Sequence, residues 1–387
     1  MFAMVAFTFG ACGETDWDED ENGDTPQKES NSGNDGEDPN YDAEAESKHS
    51  IAFTLVDGEN YAELILLVEN EADEEFVWLD RNGNGQKDDG ERIKSFDGRF
   101  QLTDLPSSTP ITLHGRITTF YIGLAGLETI DVSGNTVLKK LTIEGGDFAA
   151  LDLSKNTQLV DLNLTAKKLT TLDLSHNPEL KELEFTNVPL TQLDLSKNAQ
   201  LERIDFTDVN HLVSLDLSGN PSLKFLLWGG YKPFESALSS INLSQCPDLE
   251  ALVIFCSQLQ TLDVTNNPKL KTLKIDGDSP ASMGKIASLD LSQNSRLVNL
   301  SIDYNPIEQI DLSGLAGLER LSCYSTHLRR LDVSMLGNLR QFFTSNAPAC
   351  IKVSQYQLDH HEDDGWDWRK SPDPPFSPSQ SYSTSCP

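Results

Sequence analysis

The chain has 387 residues, of which 61 are acidic and 30 are basic, and its formal net charge at pH 7 is −31. A balance this negative excludes electrostatic binding to nucleic-acid backbones and argues against docking on anionic lipid surfaces. No apolar run reaches the ~18 residues that a membrane-spanning helix needs. Six cysteines are too few for a disulfide-dense scaffold in a chain of this length.

Residues 1–12 resemble the end of a bacterial lipoprotein signal. Residues 1–11 (MFAMVAFTFGA) are apolar and uncharged, and Cys12 follows small residues at the place of a lipidated cysteine. The apolar run is short and lacks a preceding Lys or Arg, so we expect the true start to lie upstream. Acyl chains on Cys12 would be the only membrane attachment.

Residues 13–50 are predicted to be a disordered acidic tether. They hold 14 acids and two lysines among Gly, Asn, Ser and Pro, and almost no aliphatic residues. Such a segment buries too little apolar surface to offset chain entropy, and its charges repel one another. An acidic run after the cysteine also resembles the export signal of some surface lipoproteins; a plain solvated linker explains it equally well.

Residues 51–110 are predicted to form a β-rich cap, from the runs IAFTLV, ELILLV, EFVWL, RIKSF and FQLTDL. Residues 80–91 (DRNGNGQKDDGE) match the calcium-loop pattern D-x-[DN]-x-[DN]-G-x₅-E at every constrained position. Strands rather than helices flank this loop, and it has only three carboxylates, so we predict a weak structural Ca²⁺ site. A metal-free Asn/Gly turn is the alternative. The predicted ligands are the side chains of Asp80, Asn82, Asn84, Asp88 and Glu91 and the carbonyl oxygen of Gln86.

The phrase LDLS recurs eleven times in near-copies. Most copies are 21 residues apart, and each carries two LxxLxL phrases. A leucine signature at this period predicts a mainly β, leucine-rich-repeat solenoid of short parallel strands over residues 111–354. We expect residues 355–387 to be a C-terminal cap, to which Trp366 and Trp368 contribute, and a loose tail. The copies begin at residues 130, 151, 172, 193, 215, 241, 262, 289, 310, 331 and 351.

The phrases LTTLDLSHNPELKELEF and LTQLDLSKNAQLERIDF resemble the repeats of bacterial leucine-rich-repeat surface lipoproteins, of the internalin-like group. The resemblance covers residues 111–354. It implies a non-catalytic protein on the cell surface or outer membrane that binds an extracellular protein or glycan, as a monomer. The chain departs from the second asparagine of the family repeat, which only Asn305 matches.

Two outward columns follow from this periodicity. The middle residue of the LDLS phrase is Asp in nine of eleven copies, and these acids either bond to their own turns or form a calcium-binding stripe. On the other strand the outward residues change from charged to apolar and aromatic, which is typical of the centre of an interface. The alternative is that an inserted loop or the C-terminal tail covers these apolar and aromatic residues. The predicted ligand-binding residues are Phe225, Leu227, Val253, Phe255, Tyr304, Tyr324 and Phe343.

The remaining signals are weaker. Turn asparagines are expected to bond neighbouring coils, with the ladder interrupted at Cys246, Leu315 and Leu336. Cys350 and Cys386 could pair in an oxidising compartment, and Cys323 is predicted to be core. The polar run at residues 360–364 is interpreted as solvated tail. No catalytic motif appears, so the sequence favours binding or adhesion; a structural surface spacer or coat and, further off, a glycan-active enzyme are the alternatives.

Overall fold

A computed structural model describes residues 49–386, except residues 60, 94–95, 97, 107–108, 124–125, 230–235, 256–257, 278–282, 346–349, 362–364, 366 and 371–380. Cys12 and the predicted tether up to residue 48 lie outside the described residues, as do Cys256, Trp366 and residues 230–235. In the described ranges no helix combines the length and apolar character needed to cross a bilayer.

The N-terminal region is built from antiparallel strands. β1 pairs with β5 and β7, β2 pairs with β4 and β6, and β3 pairs with β5. A 3₁₀ helix over Glu71–Phe76 takes up the first two residues of the third predicted strand (residues 75–79), and the observed strand begins only at Trp78. The strands are β1 (Ser50–Leu55), β2 (Ala62–Val68), β3 (Trp78–Asp80), β4 (Phe100–Leu102), β5 (Ile111–His114), β6 (Ile117–Gly123) and β7 (Leu127–Asp131).

Among the described residues, sixteen further strands and one α-helix, α1 (Gln355–His360), follow. The strands are β8 (Lys140–Gly146), β9 (Asp161–Ala166), β10 (Glu182–Thr186), β11 (Arg203–Thr207), β12 (Ser214–Asp216), β13 (Phe225–Gly229), β14 (Ser240–Asn242), β15 (Ala251–Phe255), β16 (Thr272–Asp276), β17 (Asn299–Ser301), β18 (Arg320–Tyr324), β19 (Arg330–Asp332), β20 (Gln341–Ser345), β21 (Cys350–Lys352), β22 (Asp367–Lys370) and β23 (Ser381–Ser383).

The chain is a leucine-rich-repeat solenoid. Twelve strands, one per coil, pair in parallel and in register to form what we call the main sheet: β6, β8, β9, β10, β11, β13, β15, β16, β17, β18, β20 and β22. On the opposite side of the coils, the LDLS phrases at residues 215, 241, 331 and 351 lie in two short parallel sheets, β12–β14 and β19–β21–β23. The predicted mainly β, parallel-strand fold is confirmed.

Stacked aliphatic side chains form one continuous core, as predicted. The last apolar residue of every LDLS phrase is at most 4% exposed, and the leucine that closes each following turn is 0% exposed. Aromatic residues widen the core where β10, β11 and β13 meet: the Phe185 and Phe206 rings stack at 5.0 Å, and Trp228 packs edge-on to Phe206 at 5.6 Å. Trp228 is thus part of the core.

The turn asparagines form a buried ladder. The side-chain amide of Asn198 donates to the carbonyl oxygens of Leu174 (3.1 Å) and Asn177 (2.9 Å) in the preceding coil. The same pair of bonds repeats at Asn156, Asn177, Asn220, Asn267 and Asn294. These bonds link each of the six coils that carry these asparagines to the coil before it.

Cys246 does not interrupt the ladder, contrary to expectation. It is fully buried, and its Sγ lies 3.3 and 3.5 Å from the two carbonyl oxygens that an asparagine would reach, those of Leu217 and Asn220. At the C-terminal end Gln357, which also completes the capping box of α1, donates to Val333 and Leu336 at 2.9 Å and so takes the same place. The sequence period did not extend to Gln357.

In the C-terminal segment, residues 381–386 differ from the predicted loose tail. β22 adds a parallel strand to the main sheet beside β20, and β23 adds one beside β21. Cys350 and Cys386 form a disulfide, and Trp368 packs against Phe342 (5.3 Å) and Tyr382 (5.4 Å). Residues 367–370 and 381–386 therefore continue both sides of the solenoid by one coil.

Candidate ligand-binding face and calcium loop

The outward side of the main sheet, which we call the outward face, carries most of the predicted ligand-binding residues. Side chains alternate along each strand, so inward residues such as Leu226 and Ile254 are buried while Leu227 and Val253 are half-buried and point outward. Parallel register then lines up the outward positions of successive strands in straight rows. The composition of these rows changes along the solenoid.

Four of the predicted residues come together on β13 and β15. Leu227 pairs directly with Val253, and Phe225 with Ala251. The ring of Phe255 lies against Gly229 of β13: a Cβ atom at position 229 would be 2.9 Å from the ring. Glycine at this position thus makes room for the ring. The four side chains form an apolar cluster of half-buried groups, which we call the apolar patch (Phe225, Leu227, Val253 and Phe255).

Tyr304 and Tyr324 form a separate pair, with ring centroids 5.3 Å apart and planes tilted by 59°. Tyr304 is in the left-handed region at φ 55°, which is uncommon for an aromatic residue. Its N–H donates to the carbonyl of Tyr324 (2.7 Å), and its own carbonyl accepts from Gly284 (2.8 Å). Phe343 lies on β20, beside Ser322 of β18.

A polar segment separates the apolar patch from the tyrosine pair. Asp276 accepts bonds from the Ser301 hydroxyl (2.7 Å) and the Asp303 N–H (3.0 Å). Asp303 accepts from the Ser322 hydroxyl (2.7 Å) and the Tyr324 N–H (2.6 Å). Burial raises the pKa of both carboxyl groups, and the charge of Asp276 raises the pKa of Asp303 further.

Two neighbouring acids with raised pKa values are the residue types of glycoside hydrolysis. Here, however, the Asp303 residue is 4% exposed, and the Asp276 side chain is 9% exposed. Two open cavities, of about 360 and 340 Å³, lie elsewhere, between Ser288 and Asp311 and near Leu79 and Gly90. Neither carboxyl group lines them, so the pair has the environment of a buried polar cluster.

The aspartate column of the LDLS phrases is bonded to its own turns. Asp194 Oδ1 accepts the N–H of Ser196 at 2.8 Å, and the same bond to the residue two positions on occurs in nine other copies. The backbone and hydroxyl of Ser196 lower the pKa of Asp194. These contacts account for the column structurally, through local Asx turns.

The predicted calcium loop closes an antiparallel pairing between Trp78 and Arg92. Asp80 is 3% exposed and accepts the N–H groups of Gly83 (2.7 Å) and Gly85 (2.8 Å). Glu91 is 7% exposed, and its two oxygens accept the N–H groups of residues 81 and 88, each at 3.0 Å. The first and last predicted ligands are therefore held inside the loop.

The central ligands are arranged differently. The side-chain amides of Asn82 and Asn84 both donate to Asp88 Oδ2, at 2.8 Å. Within the described residues no three His, Cys, Asp or Glu side chains are gathered as a preformed metal group. The loop has oxygen ligands of the type that Ca²⁺ takes, but these amides would have to turn away from Asp88 for their oxygens to face an ion.

No protein-family model and no curated protein matches the chain. Among solved structures it is similar to the functional domain of InlJ from Listeria monocytogenes, with a TM-score of 0.49 and 23% identity over 63% of this chain. It spans 56% of that domain, which includes a cysteine ladder. It is also similar to an internalin, InlF, from the same organism (TM-score 0.38, 16% identity, 66% of this chain and 86% of the other). A third is a leucine-rich-repeat protein from Leptospira interrogans (TM-score 0.37, 17% identity, 57% and 69%).

Proposed function

We propose that this protein is a non-catalytic, surface-tethered binding or adhesion protein whose ligand contacts the outward face. The observation that carries the proposal is the apolar patch. Four large apolar side chains stay only half-buried on adjacent strands, although the inward positions of the same strands already supply the core. Apolar clusters on an otherwise charged surface are typical of recognition sites for proteins or glycans.

The test removes the two aromatic rings of the apolar patch. The full chain is immobilised and exposed to host and cell-envelope extracts, and captured molecules are identified by mass spectrometry. Phe225→Ala with Phe255→Ala should abolish capture of the specific partner. Val213→Ser with Met335→Ser is the matched control, because these side chains are 52% and 67% exposed but lie outside the outward face. Equal capture by both double variants would contradict the proposal.

The attachment of the protein is part of the same proposal. The disulfide between Cys350 and Cys386 fits an oxidising, extracytoplasmic compartment. Acylation of Cys12 and the acidic segment after it would hold the solenoid away from the membrane surface. Intact-mass measurement of the membrane-extracted protein tests this: acyl chains should be present in the native protein and missing in Cys12→Ser.

Bound Ca²⁺ in the loop of residues 80–91 would have a structural role. The ion would join Asp80 on β3 to Glu91 on the returning segment, and so fasten the N-terminal cap. Two buried carboxylates at the ends of the loop support the proposal, because a cation would offset the cost of burying their charge.

A further inference from the structure

The middle outward positions of five adjacent strands form a row whose chemistry changes along its length. We call it the central row: Glu184 on β10, Asp205 on β11, Leu227 on β13, Val253 on β15 and Lys274 on β16. Each is the direct register partner of the next. With neighbouring strands ~4.8 Å apart, the row is roughly 19 Å long.

The first end of the central row is an acidic surface. Burial and then the charge of Asp205 raise the pKa of Glu184, and burial raises the pKa of Asp205. Asp205 bonds to Arg203 at 3.2 Å. In the part of the chain that the structure describes, no cation lies within ion-pair distance of Glu184. Glu184 is exposed and lies directly beside the half-buried Asp205, so the two carboxylates repel each other and gain from a cation supplied by a partner.

The middle of the row is apolar, and the other end is cationic. Leu227 and Val253 are half-buried and adjoin Phe225 and Phe255 of the apolar patch. Beyond them, Lys274 lies over the Phe255 ring at 5.1 Å, and 3.9 Å from Asp276. The row therefore runs from two acids, through two aliphatic side chains, to one base.

We propose that the central row binds a basic polypeptide segment in which a Lys or Arg side chain lies close to an apolar one. The cation would contact Glu184 and Asp205, and the apolar side chain would cover Leu227 and Val253. Lys274 sets the direction, because it repels a second cation and favours an acidic or neutral group at that end. This inference rests on the proposed function and adds the chemistry of the partner.

The experiment measures binding of the full chain to fluorescein-labelled synthetic peptides of equal length by fluorescence anisotropy. The probes alternate lysine with leucine, lysine with serine, or glutamate with leucine. The lysine–leucine peptide should bind saturably and about tenfold or more tightly than either other peptide, and its affinity should fall as salt is added. Tighter binding of the glutamate–leucine peptide, or no saturable binding of the lysine–leucine peptide, overturns the proposal.

Two double variants then locate the contact, after circular dichroism has shown that each is folded. Glu184→Gln with Asp205→Asn should weaken binding of the lysine–leucine peptide by about tenfold or more. Glu128→Gln with Glu308→Gln, two exposed acids away from the outward face, makes the same change in net charge and should leave the affinity unchanged. An equal loss in both variants would show unspecific attraction to an acidic protein and overturn the assignment.

Leu227→Ser with Val253→Ser separates this inference from the proposed function. If this variant loses peptide binding while Glu184→Gln with Asp205→Asn keeps it, the apolar patch is still the binding face, and the cationic partner is wrong. If both variants bind as the native chain does, the central row and the proposed binding face fail together. Loss of binding in both supports the basic, apolar segment.

Discussion

The asparagine ladder allows a quantitative test of how the coils are held together. Asn198 is fully buried, and its amide makes the two bonds to the preceding coil described above. In Asn198→Ala both bonds are lost. The acceptor carbonyls keep one backbone bond each, because Leu174 also accepts from Asn177 (3.1 Å) and Asn177 from Leu180 (3.3 Å). The cost is therefore that of two ordinary bonds rather than of orphaned groups.

Two buried bonds at about 0.5–1.5 kcal/mol each give a loss of ~1–3 kcal/mol. The space left by the amide adds to this loss, so we expect Asn198→Ala to lower the free energy of unfolding by about 2–4 kcal/mol. Asn198→Leu should cost less. It loses the same bonds but refills the space, and the chain itself places buried leucines at the equivalent positions 315 and 336.

Urea unfolding followed by tryptophan fluorescence and by far-ultraviolet circular dichroism measures these changes, and agreement of the two probes shows whether the array unfolds as one unit. Lys197→Ala is the control, since Lys197 is exposed on the same turn. The reasoning is refuted if Asn198→Ala costs no more than the control, or if Asn198→Leu is the more destabilising of the two.

Three further outcomes are expected. Burial raises the folded-state pKa of the Asp303 carboxyl above its unfolded value, so the melting temperature of the native chain should rise as the pH falls from neutral towards 4. In Asp303→Asn this rise should be smaller. The same dependence of melting temperature on pH in the variant and the native chain would contradict the prediction. Added Ca²⁺ should raise the melting temperature of the native chain and of Asp89→Asn, but not of Asp80→Ala; no shift in the native chain would exclude the site. Reducing the Cys350–Cys386 disulfide should increase proteolysis at the C-terminal coil, detected by mass spectrometry, and unchanged cleavage would show that the bond does not fasten it.

The fold was predictable because every coil of a solenoid repeats the same pattern of inward and outward residues. A single LDLS phrase is weak evidence, but eleven at a nearly fixed period specify which side of each coil is inward. The last apolar residue of each LDLS phrase and the leucine that closes the following turn are apolar in every copy, and all of them are buried. The C-terminal coil was missed because β22 and β23 do not carry the leucine signature. Pairing with β20 and β21 and the disulfide, all non-local, make them strands.

The candidate site was predictable in position but not in arrangement. Alternation along the strands identified Leu227 and Val253 as outward, and the structure places them there. The repeat period alone could not show that the Phe255 ring lies against Gly229, because this contact depends on which residue the neighbouring strand has there. The buried pair of Asp276 and Asp303 was also missed, since its burial comes from the serine hydroxyls and side chains of adjacent coils.

The residues that stabilise the fold lie apart from the outward residues of the main sheet. This separation helps to decide between a binding protein and a structural surface spacer. The core columns, the asparagine ladder and the aspartate turns lie inside each coil or on the LDLS side. The outward positions of the main sheet contribute little to these contacts, so the fold does not require an apolar residue at Leu227 or Val253, where β10 and β11 have Glu184 and Asp205 in the same row. A structural spacer does not need apolar side chains that are only half-buried, because such side chains favour aggregation. Their clustering on adjacent strands of the outward face favours the proposed binding function over a spacer.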